Sequence, residues 1–192
     1  MQDIKMPILK TERLLLRPLE IGDVELLWPD ISDAEISRLM AWDAQTDKEQ
    51  TRKFLEAEVA RRESNRGVTW AIFKNDAFCG IVSLIGVIRH HRSLTYNKAE
   101  LAYWMGRRFQ RQGITTEACQ AVLQFAFKDL GLHKIVVGHF DANTASENLI
   151  KRLGFRYIGV QVEEFMKGGV WHDHKSYELL ARDFRTAPSR KI

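Results

Sequence analysis

The chain is poor in cysteine, poor in proline and free of long apolar runs, and each shortage removes a class of protein. Its two cysteines, Cys79 and Cys119, lie far apart and form no CxxC pair. A disulfide-stapled secreted fold and a dithiol redox motif are excluded, and both thiols are expected to be reduced. Four prolines in 192 residues, with no repeat, no low-complexity tract and no Pro/Gly/Ser-rich stretch, leave nothing that reads as a linker. Every apolar run is broken well short of the ~18 residues that a membrane-spanning helix needs. The first residues, MQDIKMPILKTERLLLRP, carry Asp3, Lys5, Lys10, Glu12 and Arg13 where a signal peptide has its apolar core. The expectation is a cytoplasmic protein built as one domain over residues 1–185, followed by a basic tail at 186–192.

Motif absences narrow the chemistry. There is no GxxxxGK[ST] loop and no GxGxxG fingerprint, which argues against ATP and NAD. No Ser-His-Asp pattern suggests a covalent acyl-enzyme. His172 and His174 stand two apart, on one face of a strand, and His90 adjoins His91, but no Cys or third His accompanies them at ligand spacing. No metal is expected.

The composition, 45% hydrophobic and 28% charged, is that of an ordinary globular protein long enough for one sizeable core. A net charge of +4 points to anionic company. Yet 29 basic residues against 25 acidic ones are dispersed along the chain. Arg61-Arg62, Arg107-Arg108-Arg111 and the terminal RTAPSRKI are the densest spots. Direct nucleic-acid binding is therefore not the expectation, and a ribosome- or RNA-binding platform remains a rival to be tested by salt dependence.

Residues 13–19 read as a strand ended by Pro18, and 20–31 as a short amphipathic helix stopped at Pro29. A helix capped by Asp47 covers 47–65. VTWAIFK and FCGIVSLIGVI are strands joined at NDA, and AELAYWMG is a third, ended by Gly106. From 115 to 131, Cys119, Val122, Leu123, Ala126, Phe127 and Leu130 fall on one helical face, with Gly131 as a left-handed C-cap. KIVVGHF is a strand and TASENLIKRLG a helix capped by Thr144, with Glu147 three residues on. Two strands, FRYIGVQVEEFM and VWHDHKSYELLA, close the chain around KGG. The order β-α-α-β-β-β-α-β-α-β-β, with a meander before the alternation, fits a mixed sheet.

Between AELAYWMG and the long helix lies RRFQRQGITTEA. A glycine there lets consecutive N–H groups point one way, and the helix start adds free donors and the positive end of its dipole. Together they would form an anion nest suited to a diphosphate, although Gly113 also reads as a plain loop glycine and Thr115 or Thr116 as an N-cap. In context, four features occur in order: Gln110-x-x-Gly113-x-Thr115, the strand AELAYW before it, the Asn143-x-x-Ser146 segment, and KRLGF. This combination resembles the GNAT superfamily of acyl-CoA-dependent N-acetyltransferases, over nearly the whole chain. Within it the chain is most similar to the RimJ/RimL-like enzymes that acetylate N-termini of ribosomal proteins. One departure is Thr115, where the family has Gly or Ala.

The resemblance implies an α/β (α+β) fold with a mixed, mostly antiparallel central sheet of about seven strands flanked by helices. It implies acetyl-CoA as co-substrate and a primary amine as acceptor, such as a protein N-terminus or a ribosomal protein. Trp104, Met105 and Gly106 would pair their backbone with the pantetheine arm. The amides of Arg111, Gln112, Gly113, Ile114, Thr115 and Thr116 would hold the pyrophosphate, and Arg108 or Arg111 the 3′-phosphate. Asn143 would bond the pantetheine near the thioester, or serve as a turn residue or cap. Transfer to an amine needs a base, an oxyanion site and a proton for the leaving thiolate. Glu100, at the start of an apolar strand, is the expected base. The tyrosine that many members use as acid is Ile150 here, so Ser146 is the candidate, with Tyr103 and Tyr157 as weaker ones. Trp42 and Asp173 are expected at the acceptor cleft. A non-catalytic acyl-CoA sensor is the rival from another class. Oligomeric state leaves no legible signal, and a homodimer is compatible with the sequence.

Overall fold

The computed structural model describes residues 7–184; the tail expected at 186–192 lies outside them, as do residues 1–6. Within 7–184 the strands are β1 (Leu9–Lys10), β2 (Leu15–Pro18), β3 (Val68–Lys74), β4 (Ala77–His91), β5 (Leu94–Met105), β6 (Lys134–Phe140), β7 (Arg156–Lys167) and β8 (Val170–Leu180). The helices are α1 (Val24–Ile31), α2 (Ala34–Ser37), α3 (Lys48–Glu63), α4 (Ile114–Gln124) and α5 (Thr144–Arg152). The strands form one sheet in the order β1-β2-β3-β4-β5-β6-β8-β7. Every neighbouring pair is antiparallel except β5 and β6. The sheet thus has eight strands rather than about seven, because the two-residue β1 carries too short a pattern to be read from sequence.

An apolar cluster packs each face. On one face, Leu101 and Met105 of β5 meet Ile114, Ala118, Cys119, Val122 and Leu123 of α4 and Ile150 of α5. On the other, Trp104 and Ile81 meet Leu27 and Ile31 of α1, Ile36 of α2 and Leu55 of α3. Each such fully buried side chain is worth about 1.5–3 kcal/mol. This explains why Pro29 does not end α1: it forfeits one backbone hydrogen bond, but Leu27 and Ile31 hold the turn in the core. Ser32 closes it through both its amide and its hydroxyl on the Trp28 carbonyl.

Other boundaries also move. The β4–β5 hairpin runs on through His91 and Leu94, both exposed, beyond the stretches that read as strands. The long helix starts at Ile114 and passes into a single wider π-type turn at Phe125–Asp129. Gly131 takes the left-handed conformation (φ 61°) expected of a C-cap. The cap of α5 is Asn143, not Thr144: its Oδ1 accepts the Ser146 amide at 3.1 Å. At the sheet border, β7 is exposed along nearly its whole length, including Val162 and Met166.

Candidate active site

The sheet opens at one place. β5 and β6 are partners only at Lys98–Lys134, Ala99–Ile135 and Glu100–Val136. Beyond Glu100, β5 stays with β4 as far as Met105, while β6 stays with β8 as far as Phe140. Two strand edges therefore face one another across a gap. In an antiparallel ladder, successive residues turn their N–H and C=O to opposite sides. Gly106 donates its amide to the Cys79 carbonyl at 2.8 Å, and the Trp104 carbonyl points at Gly80. Trp104 and Gly106 thus spend their amides on β4, and Tyr103 and Met105 turn theirs to the gap. Of the three residues expected to pair with an extended ligand arm, Met105 alone presents both backbone groups there. Its carbonyl accepts Gln110 Nε2 at 3.2 Å.

After Gly106, one tight turn (Arg107–Phe109) leads to Arg111 and Gly113, both left-handed at φ 60° and 74°. The first helical bond of α4 runs from the Glu117 amide to the Gly113 carbonyl. The amides of Ile114, Thr115 and Thr116 consequently have no acceptor within the helix and sit at its positive end. Arg107, Arg108, Arg111, Gln112 and Gly113 are exposed. The loop is fastened from outside. Gln112 receives Lys74 Nζ on its side chain (3.2 Å) and Arg13 Nη1 on its carbonyl (3.3 Å), and its Nε2 donates to the Arg108 carbonyl (2.9 Å). Glu117 accepts the Thr11 hydroxyl (2.5 Å) and the Arg13 amide and Nε (3.1 and 2.7 Å). Burial pushes the Glu117 carboxyl up, but these donors together outweigh it and hold it below its ordinary value.

Glu100 is the last β5 residue paired with β6 and shares a face with Trp104, toward α1–α3. Glu100 keeps an exposed edge, and partial loss of hydration raises its carboxyl above its ordinary value, against the opposing pull of Lys98. Tyr103 and Ser146 lie toward the opposite, α4–α5 face and meet across the gap, Oη to Oγ 2.8 Å. Burial raises the Tyr103 phenol well above its ordinary pKa, helped by Cys119 and opposed by the Ser146 bond. Ile150 is fully buried, and Tyr157 lies on β7 against Tyr177. The Asn143 carboxamide is engaged at both ends, with Nδ2 donating to the Leu39 carbonyl at 3.4 Å.

On the Glu100 face, Trp42 tilts against Trp104 with ring centroids 6.2 Å apart. Lys167, at the tip of the β7–β8 hairpin, donates to the Met40 and Trp42 carbonyls (2.9 and 2.6 Å) and pairs with Asp43 (3.1 Å). His172 stacks on Phe140 at 5.3 Å, and the His174 ring covers Gly138. Burial lowers the His174 pKa, as does nearby His139. Asp173 does not join them. It alternates to the other face of β8, and its Oδ1 accepts the Glu163 amide at 2.9 Å, holding the bulge of β7. Among the described residues no three His, Cys, Asp or Glu side chains gather as metal ligands. No described helix is long and apolar enough to cross a membrane.

Residues outside the expected set thus contribute: Thr11, Arg13 and Glu117 brace the loop, and Lys167 ties the hairpin to residues 40–43. Each acts between segments remote in sequence, where no local spacing marks it.

Residues 13–156 match the family model described as "Acetyltransferase (GNAT) domain". The chain is 30% identical over 183 residues to a Bacillus subtilis protein named "Probable N-acetyltransferase YjcK", covering 92% of this chain and 98% of that one. It is 26% identical over 105 residues to the Escherichia coli "[Ribosomal protein uS5]-alanine N-acetyltransferase", covering 55% of this chain and 52% of that one. Among solved structures, the ribosomal L7/L12 alpha-N-protein acetyltransferase RimL in complex with coenzyme A superposes with a TM-score of 0.82 at 21% identity. That match covers 91% of this chain and 98% of that one.

Proposed function

Since the chain belongs to the GNAT acetyltransferases, with acetyl-CoA as acetyl donor, we propose that it moves the acetyl group directly to a primary amine within a ternary complex. The acceptor is an N-terminal amine of a protein, a ribosomal protein being the first choice. The observation that carries this reading is the gap between β5 and β6, which has free helix-start amides on one side and a carboxylate, Glu100, at its base on the other face. An extended pantetheine fits the gap as an added strand would, bonding Met105 and Tyr103. The pyrophosphate fits the amides from Arg111 to Thr116, with Arg108 or Arg111 near the 3′-phosphate.

The steps follow from placement. The ammonium gives its proton to Glu100, directly or through water, and the free amine attacks the thioester carbonyl. The C–S bond then breaks. The thiolate leaves beside Ser146, whose hydroxyl stabilises the charge, and takes a proton from it or from water. Trp42, Trp104 and the histidines of β8 wall the acceptor side. Protein acetyltransferases among the relatives support a peptide amine over a small one. The proposed place of the reaction is the cytoplasm.

The test is a turnover screen with acetyl-CoA against peptides of varied first residue, polyamines, aminoglycosides and free amino acids. Peptide turnover well above that of small amines is the expected result; a polyamine or aminoglycoside as the preferred acceptor would replace the protein N-terminus in this reading.

A further inference from the structure

We propose that Tyr103 is a positioning residue for the leaving group: it donates its phenolic proton to Ser146 and so turns the Ser146 hydroxyl toward the sulfur of coenzyme A. The inference rests on the coenzyme reading above and goes beyond it.

Either oxygen of the 2.8 Å pair could in principle donate. The surroundings decide. Tyr103 lies on the buried side of β5, packed against the α4 cluster, and its hydroxyl bonds Ser146 alone. If Ser146 donated, the phenolic O–H would point into the apolar packing around it with no acceptor of its own. Tyr103 therefore donates. The Ser146 Oγ, used as an acceptor, keeps its own proton for another partner. Ser146 is only half-buried, and its amide is held by Asn143, so the serine is fixed at the start of α5.

The pair spans the gap, Tyr103 on the open stretch of β5 and Ser146 beyond the end of β6. A pantetheine lying there passes beside it. Burial keeps the phenol neutral, so it does not end the reaction as tyrosinate. It acts by polarising the serine: a hydroxyl that accepts one hydrogen bond donates a stronger one. The sulfur gains negative charge as the C–S bond breaks, and this donor meets it. No proton leaves Tyr103.

The experiment needs coenzyme A alone, without an acceptor. The ionisation of its bound thiol is followed by thiolate ultraviolet absorbance, as the difference between the CoA and desulfo-CoA complexes across pH. In the wild type the bound thiol is expected to ionise about tenfold more readily than in free CoA. Tyr103→Phe and Ser146→Ala should each remove most of that advantage, and the double variant should do no more than either alone. Thermal unfolding is measured in parallel, and Tyr103→Phe keeps the ring that packs against α4. The inference is overturned if Tyr103→Phe titrates like the wild type, if the two effects add in full, or if Tyr103→Phe abolishes CoA binding that Ser146→Ala retains. Failure of the wild type to bind CoA would sink the coenzyme reading itself, a result distinct from all three.

Discussion

At the scale of single residues, the base role proposed for Glu100 sets chemistry against stability. Its pKa is raised in the folded chain, so the ionised form needed for a base is the form the fold disfavours. The sign is definite: an acid with a raised folded pKa reduces stability above that pKa, and the penalty vanishes as pH falls below the unfolded value. Glu100→Gln should therefore unfold at a slightly higher temperature than wild type at pH 7, with the difference closing under acid. The same variant should lose about 10²–10⁴-fold in kcat while binding CoA unchanged by calorimetry. Wild-type kcat/KM should fall on the acid side at a pH above the ordinary carboxylate range. Gly113 makes the opposite case, since φ 74° suits glycine and not a branched side chain. Gly113→Val should cost about 1–2 kcal/mol in unfolding and weaken CoA binding strongly. Glu100 is legible in the sequence as the one acid of an apolar strand, and Gly113 as the one glycine of a polar turn. The pairing of Tyr103 with Ser146 is not, because it joins residues 43 positions apart.

At the scale of elements, α4 and the hairpin are held by single side chains from elsewhere. Glu117 ties the first turn of α4 to the β1–β2 turn through Thr11 and Arg13. Glu117→Gln should loosen that turn, measured as faster amide exchange at residues 111–117 and weaker CoA binding. Lys167 does the same for the β7–β8 hairpin and residues 40–43. Lys167→Ala should raise KM for the acceptor several-fold and leave the Kd for CoA alone. The helices were readable because 3.6-residue periodicity is local. Their exact starts were not: the caps at Gly113 and Asn143 depend on φ and on side chains folding back, and Pro29 was overruled by tertiary packing. The gap between β5 and β6 leaves no sequence mark at all. It arises from register, the point at which two strands take different partners.

At the scale of the molecule, Glu100 and Ser146, the proposed base and leaving-group donor, lie toward opposite faces of one sheet. Two substrates can then be bound together, and initial-rate plots should intersect, as direct transfer requires. Cys79 and Cys119 are both buried, and burial raises both thiols. Incubation with acetyl-CoA should leave the intact mass unchanged, and an acetylated cysteine would argue for a two-step route. The mixed sheet was expected from the order of elements, and its eighth strand was the part that carried no signal.

The outermost strand has a further effect. β7 presents Val162 and Met166 to water, with Val170 and Trp171 beside them on β8, yet its ladder breaks between Gln161 and Phe165, where Glu163 kinks at φ 52°. A straight, greasy rim would invite stacking of chain on chain into fibres. The kink, pinned by Asp173, spoils such a template even though the oily side chains stay in water.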